Sequence, residues 1–528
     1  MTHLETDHVS PNRPGLGRLN WISLVLLGLI VLGLLARVWG ISYGLPYLYH
    51  PDEPVGLRIA LHIFKTGDLN PRFFGYGSLF FYLNALAYLP YYLIGQLLGL
   101  FHTPANIPNL QMLQMGVGQT LMPSQVILGR LLSVLEGIAC IPVAYWLGKH
   151  LSHRNTGLLA AGLVAISAPL VLHSQFVTPN ILTTLWVLIA LAAFSQLTPQ
   201  SRWPSYVWAG LALGCAIASK YNAGMLLGAY LVTCLMLYGR SAPRMWVIYL
   251  VPAVAVLTFI AVTPYSMFDF SQFIADTQFH LEYYSTASHP GMEGHTVAFY
   301  LSYLLRAEGP IVFLSVLPLV RYLRQRNRVG LILASFAVPY TIYVSTLNIR
   351  NDRTILIVLP IFLILSADYL VVLKHWATNS PKLRLKRVAN WGLTIFVAGS
   401  ILYLGWQTVK QNIQQTTPDA REYARQWIDT NLPTDLRIIA ETYTPYIDPK
   451  RFTVTYINSM ILNSPDWYVQ NGYDVLVLSS VAFGRFYAMP DRYPAQIAKY
   501  DDLIRRFPEI MQFDQNNVTI RILRVVKS

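Results

Sequence analysis

The chain has 528 residues, of which 54% are hydrophobic and 12% charged, and its mean hydropathy is +0.41. These values are typical of a polytopic membrane protein and exclude an ordinary soluble domain. The net charge of +13 does not indicate a nucleic-acid partner, because the basic residues lie in short loops between apolar segments, where cytoplasmic loops face anionic lipid.

The first predicted membrane span covers 20–40 and follows a polar tail, 1–19, which we expect to be cytoplasmic. Soon after the chain leaves the lipid, Asp52 and Glu53 form an adjacent acidic pair. Such a pair at a membrane surface is costly to place, which favours a functional role. The alternative is that Asp52 caps a helix that begins near Pro54.

Apolar segments of span length recur along the next part of the chain. The candidate spans are 20–40, 76–99, 124–147, 158–175, 178–197, 206–219, 222–239, 246–265, 299–320, 331–347, 354–373 and 390–409. The basic loops 321–328 and 374–387 should be cytoplasmic, and the loop 266–298, which is acidic and has no lysine or arginine, should lie outside.

These orientations require that one candidate between the first outer loop and 266–298 does not cross the membrane. The segment 76–99 fits best, because it is rich in tyrosine and is interrupted by Pro90. Otherwise, one of the short pieces beside Lys220 is re-entrant. The pattern predicts about 11 spanning helices, or up to about 13, with outer loops 41–122 and 266–298.

The composition changes beyond the all-α membrane domain, 20–409. Helical spacing at 421–428 is followed by short apolar runs at 437–440 and 474–478 that read as buried strands. We expect 410–528 to be a small α/β domain. An odd number of spans puts it outside, on the same face as Asp52.

Several short motifs occur in a definite order. They are His50-Pro51-Asp52-Glu53, Thr66-Gly67-Asp68-Leu69-Asn70-Pro71, Tyr76-Gly77-Ser78-Leu79, Arg130-Leu131-Leu132-Ser133, the stretch from Gly210 to Tyr221, Gly294-His295, and Arg353 with Leu359-Pro360. Together they resemble the GT-C glycosyltransferases, specifically bacterial relatives of the protein O-mannosyltransferases and of the lipid A aminoarabinose transferase (glycosyltransferase family 39 and its neighbours). The resemblance implies transfer of a sugar from a polyprenyl-phosphate-linked sugar, on the outer face, with inversion at the anomeric carbon.

An inverting transfer needs a carboxylate that takes the proton of the acceptor hydroxyl, and Asp52 is placed for this role. Glu53 would orient the acceptor or a cation. Cationic residues must stabilise the lipid phosphate as it leaves. The candidates are Lys220, Arg350, Arg353 and Arg58. Alternatively, Lys220 only extends towards the membrane surface, the arginines mark a helix end, and Arg350 pairs with Asp352.

His295, with Glu282 and Glu293, is a candidate for holding the acceptor or a divalent cation. In the aminoarabinose transferases, a histidine of the corresponding loop helps to hold zinc. The ligand spacing here is not tight, so an ordinary loop histidine is the alternative. Asn180 replaces an aspartate of many relatives, which weakens any scheme with a metal between two carboxylates. No cofactor is required by the sequence.

Two other functions compete with sugar transfer. A transporter or flippase of a lipid-linked glycan would show inverted repeats or charges deep in several helices, and the sequence shows no clear repeat. A membrane-anchored scaffold would act through 410–528, which has no recognisable site. We therefore expect a glycosyltransferase of the bacterial plasma membrane with its active site and C-terminus outside. The acceptor stays open between a protein, a lipid and a polysaccharide.

Overall fold

The structure is a computed structural model that describes residues 21–286, 289–379 and 383–526. The expected cytoplasmic tail 1–19 and Lys382 of the second basic loop lie outside the described residues. In the described part, helices make up almost the whole chain up to Thr416, and a mixed sheet with flanking helices follows. The predicted division into a helical part and an α/β part therefore has a structural counterpart.

The first helix leads into a segment that holds the acidic pair. Its elements are α1 (Trp21–Trp39), α2 (Glu53–Thr66), α3 (Ser78–Leu97), β1 (Gln111–Gln114) and β2 (Val117–Gln119). Amphipathic α2 buries Leu57 and Leu61 in one cluster with Phe80 and Phe81 of α3. It ends at Gly67, whose φ of 72° places it in the left-handed region that terminates helices.

The helical bundle follows this segment. Its first half consists of α4 (Pro123–Leu151), α5 (Arg154–Ala165), α6 (Ala168–His173), α7 (Pro179–Gln196), α8 (Trp203–Ser219), α9 (Leu226–Tyr238) and α10 (Leu250–Val262). Its second half consists of α11 (Tyr265–Phe268), α12 (Phe270–Ser285), α13 (Thr296–Glu308), α14 (Leu319–Gln325), α15 (Arg328–Ser345), α16 (Asp352–Ile355), α17 (Leu359–Thr378) and α18 (Leu383–Thr416). A large buried apolar cluster unites both halves.

Seven segments of the described chain are long and apolar enough to cross a membrane. They are Trp21–Trp39, Pro123–Leu151, Pro179–Gln196, Tyr221–Arg244, Arg328–Ser345, Asp352–Thr378 and Arg387–Asn431. The chain is thus an integral membrane protein. Helix α3, which we expected to lie outside the membrane, is not among the seven.

Two of the candidate spans are interrupted, contrary to expectation. The segment 158–175 is divided into α5 and α6, because Pro169 has no N–H to donate to the carbonyl of Ala165, so one continuous helix cannot run through it. The segment 299–320 is divided after α13 by Gly309, whose φ of 71° ends the helix, and by the following Pro310. In both cases hydropathy alone joined two apolar pieces across a break in the backbone.

The helices define two ends of the bundle. Arg130, near the start of α4, contacts Glu53, whereas the far end of this helix at Leu151 lies about 32 Å further along at 1.5 Å per residue. Helix α17 begins shortly after Arg353 and also runs away from the acidic pair. We call these the Asp52 end and the Lys374 end.

Arg37, the single charge of α1, is satisfied inside the bundle. Its guanidinium donates hydrogen bonds to the carbonyl oxygens of Gly33 and Ala165, both at 3.0 Å, and to Oγ of Ser174 at 3.2 Å. A buried charge is tolerated only when its donors find such acceptors. Arg37 therefore fastens α1 to α5 and to the end of α6.

The last part of the chain is a five-stranded sheet with helices. Its elements are α19 (Ala420–Asn431), β3 (Arg437–Glu441), β4 (Thr453–Ile457), α20 (Pro465–Gln470), β5 (Val475–Ser479), α21 (Ser480–Tyr487), α22 (Pro494–Arg506), β6 (Glu509–Gln515) and β7 (Val518–Arg524). The strand order is β4-β3-β5-β7-β6, with β4, β3 and β5 parallel and β7 antiparallel to both β5 and β6.

This α/β unit packs against the Asp52 end. The guanidinium of Arg421, on α19, lies 4.1 Å from the ring centroid of Tyr49 and donates to the hydroxyl of Tyr43 at 3.0 Å. The backbone N–H of Tyr443 donates to the carbonyl of Met115, in the turn between β1 and β2, at 3.1 Å. The unit therefore adjoins the segment that carries the acidic pair.

Candidate active site

Asp52 lies at the N-cap position of α2, but its side chain does not cap the helix. Its backbone is helical, with φ −90° and ψ −24°, and its carboxylate accepts no capping hydrogen bond. Instead, Oδ2 forms an ion pair with Nη1 of Arg353. The side chains of Asp52 and Arg353 keep 20% and 29% of their surface exposed, so both are only partly buried.

Local structure holds Arg353 in place. Asn351 caps the short helix α16, and its Oδ1 accepts hydrogen bonds from the backbone N–H of Thr354 at 3.1 Å and from its hydroxyl at 2.6 Å. The hydroxyl of Tyr340 donates to the carbonyl of Thr354 at 3.0 Å. The arginine is therefore presented from a fixed helical turn.

Glu53 is fully buried and has a structural partner that the sequence analysis did not assign. Its carboxylate accepts two hydrogen bonds from Arg130, at 2.7 and 2.8 Å, and one from the backbone N–H of Val177 at 3.0 Å. Burial alone would raise the pKa of Glu53, but the charge and hydrogen bonds of Arg130 outweigh it and hold that pKa below its usual value.

Arg130 also donates to the carbonyl oxygens of Ile41 and Tyr43, at 2.7 and 2.9 Å. The pair thus ties the start of α2 to α4 and to the end of the first helix. This arrangement corrects the expectation that Glu53 orients an acceptor or a metal cation, because its oxygens are taken up by Arg130 and Val177. Glu53 supports the backbone next to Asp52.

His50 lies beside the pair and is held neutral. Its ring stacks on Phe176 with centroids 4.2 Å apart, and the backbone N–H of Asp52 donates to its Nδ1 at 3.3 Å. Burial lowers the pKa of His50 to about 4, although the charge of Glu53 opposes this shift. A neutral histidine leaves Arg353 as the cation in contact with Asp52.

Lys220 lies directly after α8, where the helix ends. Its Nζ donates to Oδ1 of Asn180 at 3.2 Å, and Asn180 follows the Val177 loop that contacts Glu53. The loop before α3 also reaches this point, because the N–H of Gly77 donates to the carbonyl of Ser219 at 3.3 Å. Lys220 therefore belongs to the same end of the bundle as Asp52.

The remaining predicted residues lie on the surrounding loops. Arg350 contacts the ring of Phe299, 5.2 Å from its centroid, and its Nη1 is 3.5 Å from the carbonyl oxygen of His295. It does not pair with Asp352, which lies 3.6 Å from Nε2 of His173 instead. Arg58 is exposed on α2.

The three candidate metal ligands do not form a site. Glu293 is buried and engaged by the α/β unit, through Arg492 at 2.5 Å and the hydroxyl of Tyr493 at 2.7 Å. Glu282 and His295 are exposed. In the described ranges, no three histidine, cysteine or acidic side chains come together as metal ligands do. The three residues therefore do not fit a divalent-cation site, and Glu293 instead contacts the α/β unit.

Sequence analysis missed the roles of Arg130, His50 and the His173–Asp352 pair. Arg130 stood in one of the motifs, and its position as a charged residue within an apolar helix was the available signal. The partners are far apart in the chain, by 77 residues for Arg130 and Glu53, so only the tertiary fold reveals them.

Comparison with known proteins agrees with this architecture. Residues 81–276, less than half of the chain, match the family model of the dolichyl-phosphate-mannose-protein mannosyltransferases. Among solved structures, the oligosaccharyltransferase AglB of Archaeoglobus fulgidus, in complex with an inhibitory peptide and a dolichol-phosphate, is similar with a TM-score of 0.56 and 12% identity, over 93% of this chain and 72% of that one.

ArnT of Cupriavidus metallidurans, bound to undecaprenyl phosphate, is similar with a TM-score of 0.52 and 15% identity, over 96% of this chain and 98% of that one. No curated protein sequence matches significantly. The family match and the fold together confirm the class that the motifs indicated. The chain is a membrane glycosyltransferase with the GT-C fold.

Proposed function

We propose that this protein transfers a sugar from a polyprenyl-phosphate-linked donor to an acceptor hydroxyl, with inversion, and that Asp52 is the base. The observation that carries the proposal is the pair between the carboxylate of Asp52 and Arg353, which are both partly exposed at the end of the bundle. The pair puts a proton acceptor next to a cation that suits a phosphate. An inverting transfer from a lipid phosphate needs both groups.

In the proposed reaction, the acceptor oxygen forms a bond to the anomeric carbon as the bond from that carbon to the phosphate oxygen breaks. The carboxylate of Asp52 takes the proton of the acceptor hydroxyl. The bonding electrons leave with the phosphate, which becomes a polyprenyl monophosphate. Arg353 stabilises the negative charge that develops there, and its move from Asp52 to the phosphate would free the base when the donor binds.

Lys220 is the second cation of the proposed donor site. Its position directly after an apolar helix, at the same end of the bundle as Asp52, supports this role. Arg350 and Arg58 lie further out and would guide the anionic donor rather than contact it in the reaction. The lipid phosphates bound by AglB and ArnT support a donor of this class.

We further propose that the Asp52 end, with 41–122, 266–298 and the α/β domain 410–528, faces the outside of a bacterial plasma membrane. The opposite end carries exposed Arg324 and Arg326, close to Leu151, whose carbonyl accepts from Asn327 at 3.0 Å. Basic loops favour the cytoplasm. About 11 crossings in 20–409 and the cytoplasmic tail 1–19 complete this topology.

The topology leads to a labelling experiment on intact cells. A cysteine introduced by Gln325→Cys should be inaccessible to a membrane-impermeant maleimide until the cells are opened, since it would face the cytoplasm. The matched variant Asp491→Cys, at an exposed position of the α/β domain, should be labelled at once. Labelling of the first variant from outside would reverse the orientation.

The function is tested by incubating the purified protein with a panel of polyprenyl-phosphate sugars and with protein, lipid and polysaccharide acceptors. We expect a glycosylated acceptor, release of polyprenyl phosphate in equal amount, and inverted anomeric configuration by NMR. In proteoliposomes, movement of the intact lipid-linked sugar without transfer would instead establish a flippase. Retention of configuration would contradict Asp52 as a simple base.

Replacement of Lys220 by methionine removes the charge and keeps the length of the side chain. We expect kcat/KM for the donor to fall by roughly 10- to 100-fold, the value of one charge-assisted hydrogen bond to phosphate, while KM for the acceptor stays unchanged. The control Arg72→Met removes an exposed charge that pairs only with Asp68 at the surface. If the two variants have the same kcat/KM for the donor, Lys220 does not belong to the donor site.

Gly77→Ala tests whether the loop before α3 must approach Lys220. A Cβ atom on Gly77 would lie 1.9 Å from the carbonyl oxygen of Ala218, so the backbone must move. Displacement by about 1 Å near reacting groups costs on the order of 100-fold in rate, and we expect such a loss of transfer. Gly224→Ala, where the added Cβ meets nothing within 4 Å, should keep wild-type activity.

A further inference from the structure

A cavity of about 780 Å³ lies at the Lys374 end of the bundle, far from the proposed active site. It is lined by the start of α5, the last turns of α17 and the middle of α18. Because α17 runs from the neighbourhood of Arg353 to this cavity, the two sites are separated by the length of that helix, 20 residues or about 30 Å. The cavity therefore serves a purpose other than donor binding at Asp52.

The mouth of the cavity is cationic. Arg154 and Lys374 line it together with His153 and His375, whose rings lie 6.0 Å apart. No acidic residue belongs to its lining in the described part of the chain, and neither Arg154 nor Lys374 forms an ion pair with a described carboxylate. An anion would thus meet uncompensated positive charge.

The backbone adds to this charge. Helix α5 has 12 residues and begins at Arg154, and the N-cap residue His153 makes no side-chain capping hydrogen bond. The first N–H groups of a helix have no partner within the helix and carry the positive end of its dipole. Asn155, in the first turn of α5, also lines the cavity, so this helix start lies beside its mouth. Phosphate groups bind readily to such helix starts when cations stand beside them.

The inner walls are apolar. Leu370 of α17 and Val397 of α18 line the cavity with other aliphatic side chains. Burial of an acyl chain against such walls is favourable, whereas a free phosphate or a nucleotide would gain little from contact with them. A molecule that joins an anionic head to apolar chains matches both parts, and in the proposed topology the Lys374 end of the bundle meets the headgroup layer of a bilayer.

We propose that this cavity is a binding site for one anionic glycerophospholipid, with its phosphate at Arg154 and Lys374 and an acyl chain between α17 and α18. The lipid would fasten α18, the helix that connects this end of the bundle to the α/β domain, against α17. This site is independent of the sugar-transfer reaction.

The test uses full-length, delipidated protein in detergent and native mass spectrometry with added phosphatidylglycerol, phosphatidylethanolamine or inorganic phosphate. We expect one phosphatidylglycerol per chain to bind at least tenfold more tightly than phosphatidylethanolamine. The double variant Arg154→Gln/Lys374→Gln should lose roughly 30-fold of this affinity, as expected for two basic residues at a membrane surface. The control Arg240→Gln/Arg244→Gln removes two exposed cations outside the cavity and should bind as wild type.

A second variant guards against a folding defect in the first. Ala398→Trp, at an exposed position of the cavity lining, would fill the space for the acyl chain and leave both cations in place. It should abolish the tight phosphatidylglycerol adduct. Equal binding of the two lipids, equal loss in the control variant, unchanged binding by Ala398→Trp, or displacement of phosphatidylglycerol by millimolar phosphate would each overturn the proposal.

Discussion

Replacement of Asp52 by asparagine is expected to reduce sugar transfer by a factor on the order of 10² to 10⁴, the contribution of a positioned general base. Asparagine has the size of aspartate but cannot take the acceptor proton at neutral pH. The change also releases Arg353 from its ion pair, so the donor should bind as tightly as in the wild type or more tightly. The measurement compares single-turnover transfer with binding of a fluorescent donor lipid.

The control for this prediction is Asp68→Asn. Asp68 also lies in the predicted outer segment, but it pairs with the exposed side chain of Arg72, so its loss should leave both transfer and donor binding unchanged. Transfer by Asp52→Asn within a factor of about ten of the wild type would remove Asp52 as the base. Loss of donor binding together with transfer would point to a disturbed site rather than to a missing proton acceptor.

Three of the candidate residues from the sequence analysis lie at the same end of the bundle. They are charged residues next to apolar stretches, where a charge is conspicuous: Lys220 directly follows α8, Arg353 precedes α17, and Asp52 lies in the segment after α1. The structure brings Asp52 and Arg353 into contact and places Lys220 at the same end of the bundle. Such positions can be recognised in a single sequence because the membrane makes charge expensive.

Pairing between distant residues could not be predicted in this way. Glu53 looks equivalent to Asp52 in the sequence, yet one carboxylate is partly exposed and the other is buried against Arg130. Which of two adjacent side chains faces the cleft depends on how α2 packs against α4. The same holds for Glu293, which appeared as a loop acid and is a docking contact of the α/β unit.

The fold, too, could be predicted from the sequence only in part. Long apolar helices follow from hydropathy, but the breaks at Pro169 and Gly309 were overlooked, although both residues are local signals. In the α/β unit, buried strands were recognisable as apolar runs. Their order β4-β3-β5-β7-β6 depends on non-local pairing that no local pattern specifies.

The second large effect concerns the buried pair of Glu53 and Arg130. Arg130→Met leaves the carboxylate of Glu53 buried and without its partner, which costs about 3–5 kcal/mol. We expect poor yield and a clear drop in the thermal unfolding midpoint of the purified protein. In contrast, Arg72→Ala breaks an exposed ion pair and should change the stability by no more than about 1 kcal/mol.

The double variant Glu53→Gln/Arg130→Met distinguishes a structural role of Glu53 from a direct role in the reaction. Glutamine keeps an acceptor for the N–H of Val177 and removes the unpaired charge, so much of the lost stability should return. If Glu53 only holds the backbone next to Asp52 in place, the stabilised double variant should transfer sugar within about tenfold of the wild-type rate, because the base and Arg353 remain. A stable double variant as inactive as Asp52→Asn would show that the carboxylate of Glu53 takes part in the reaction itself.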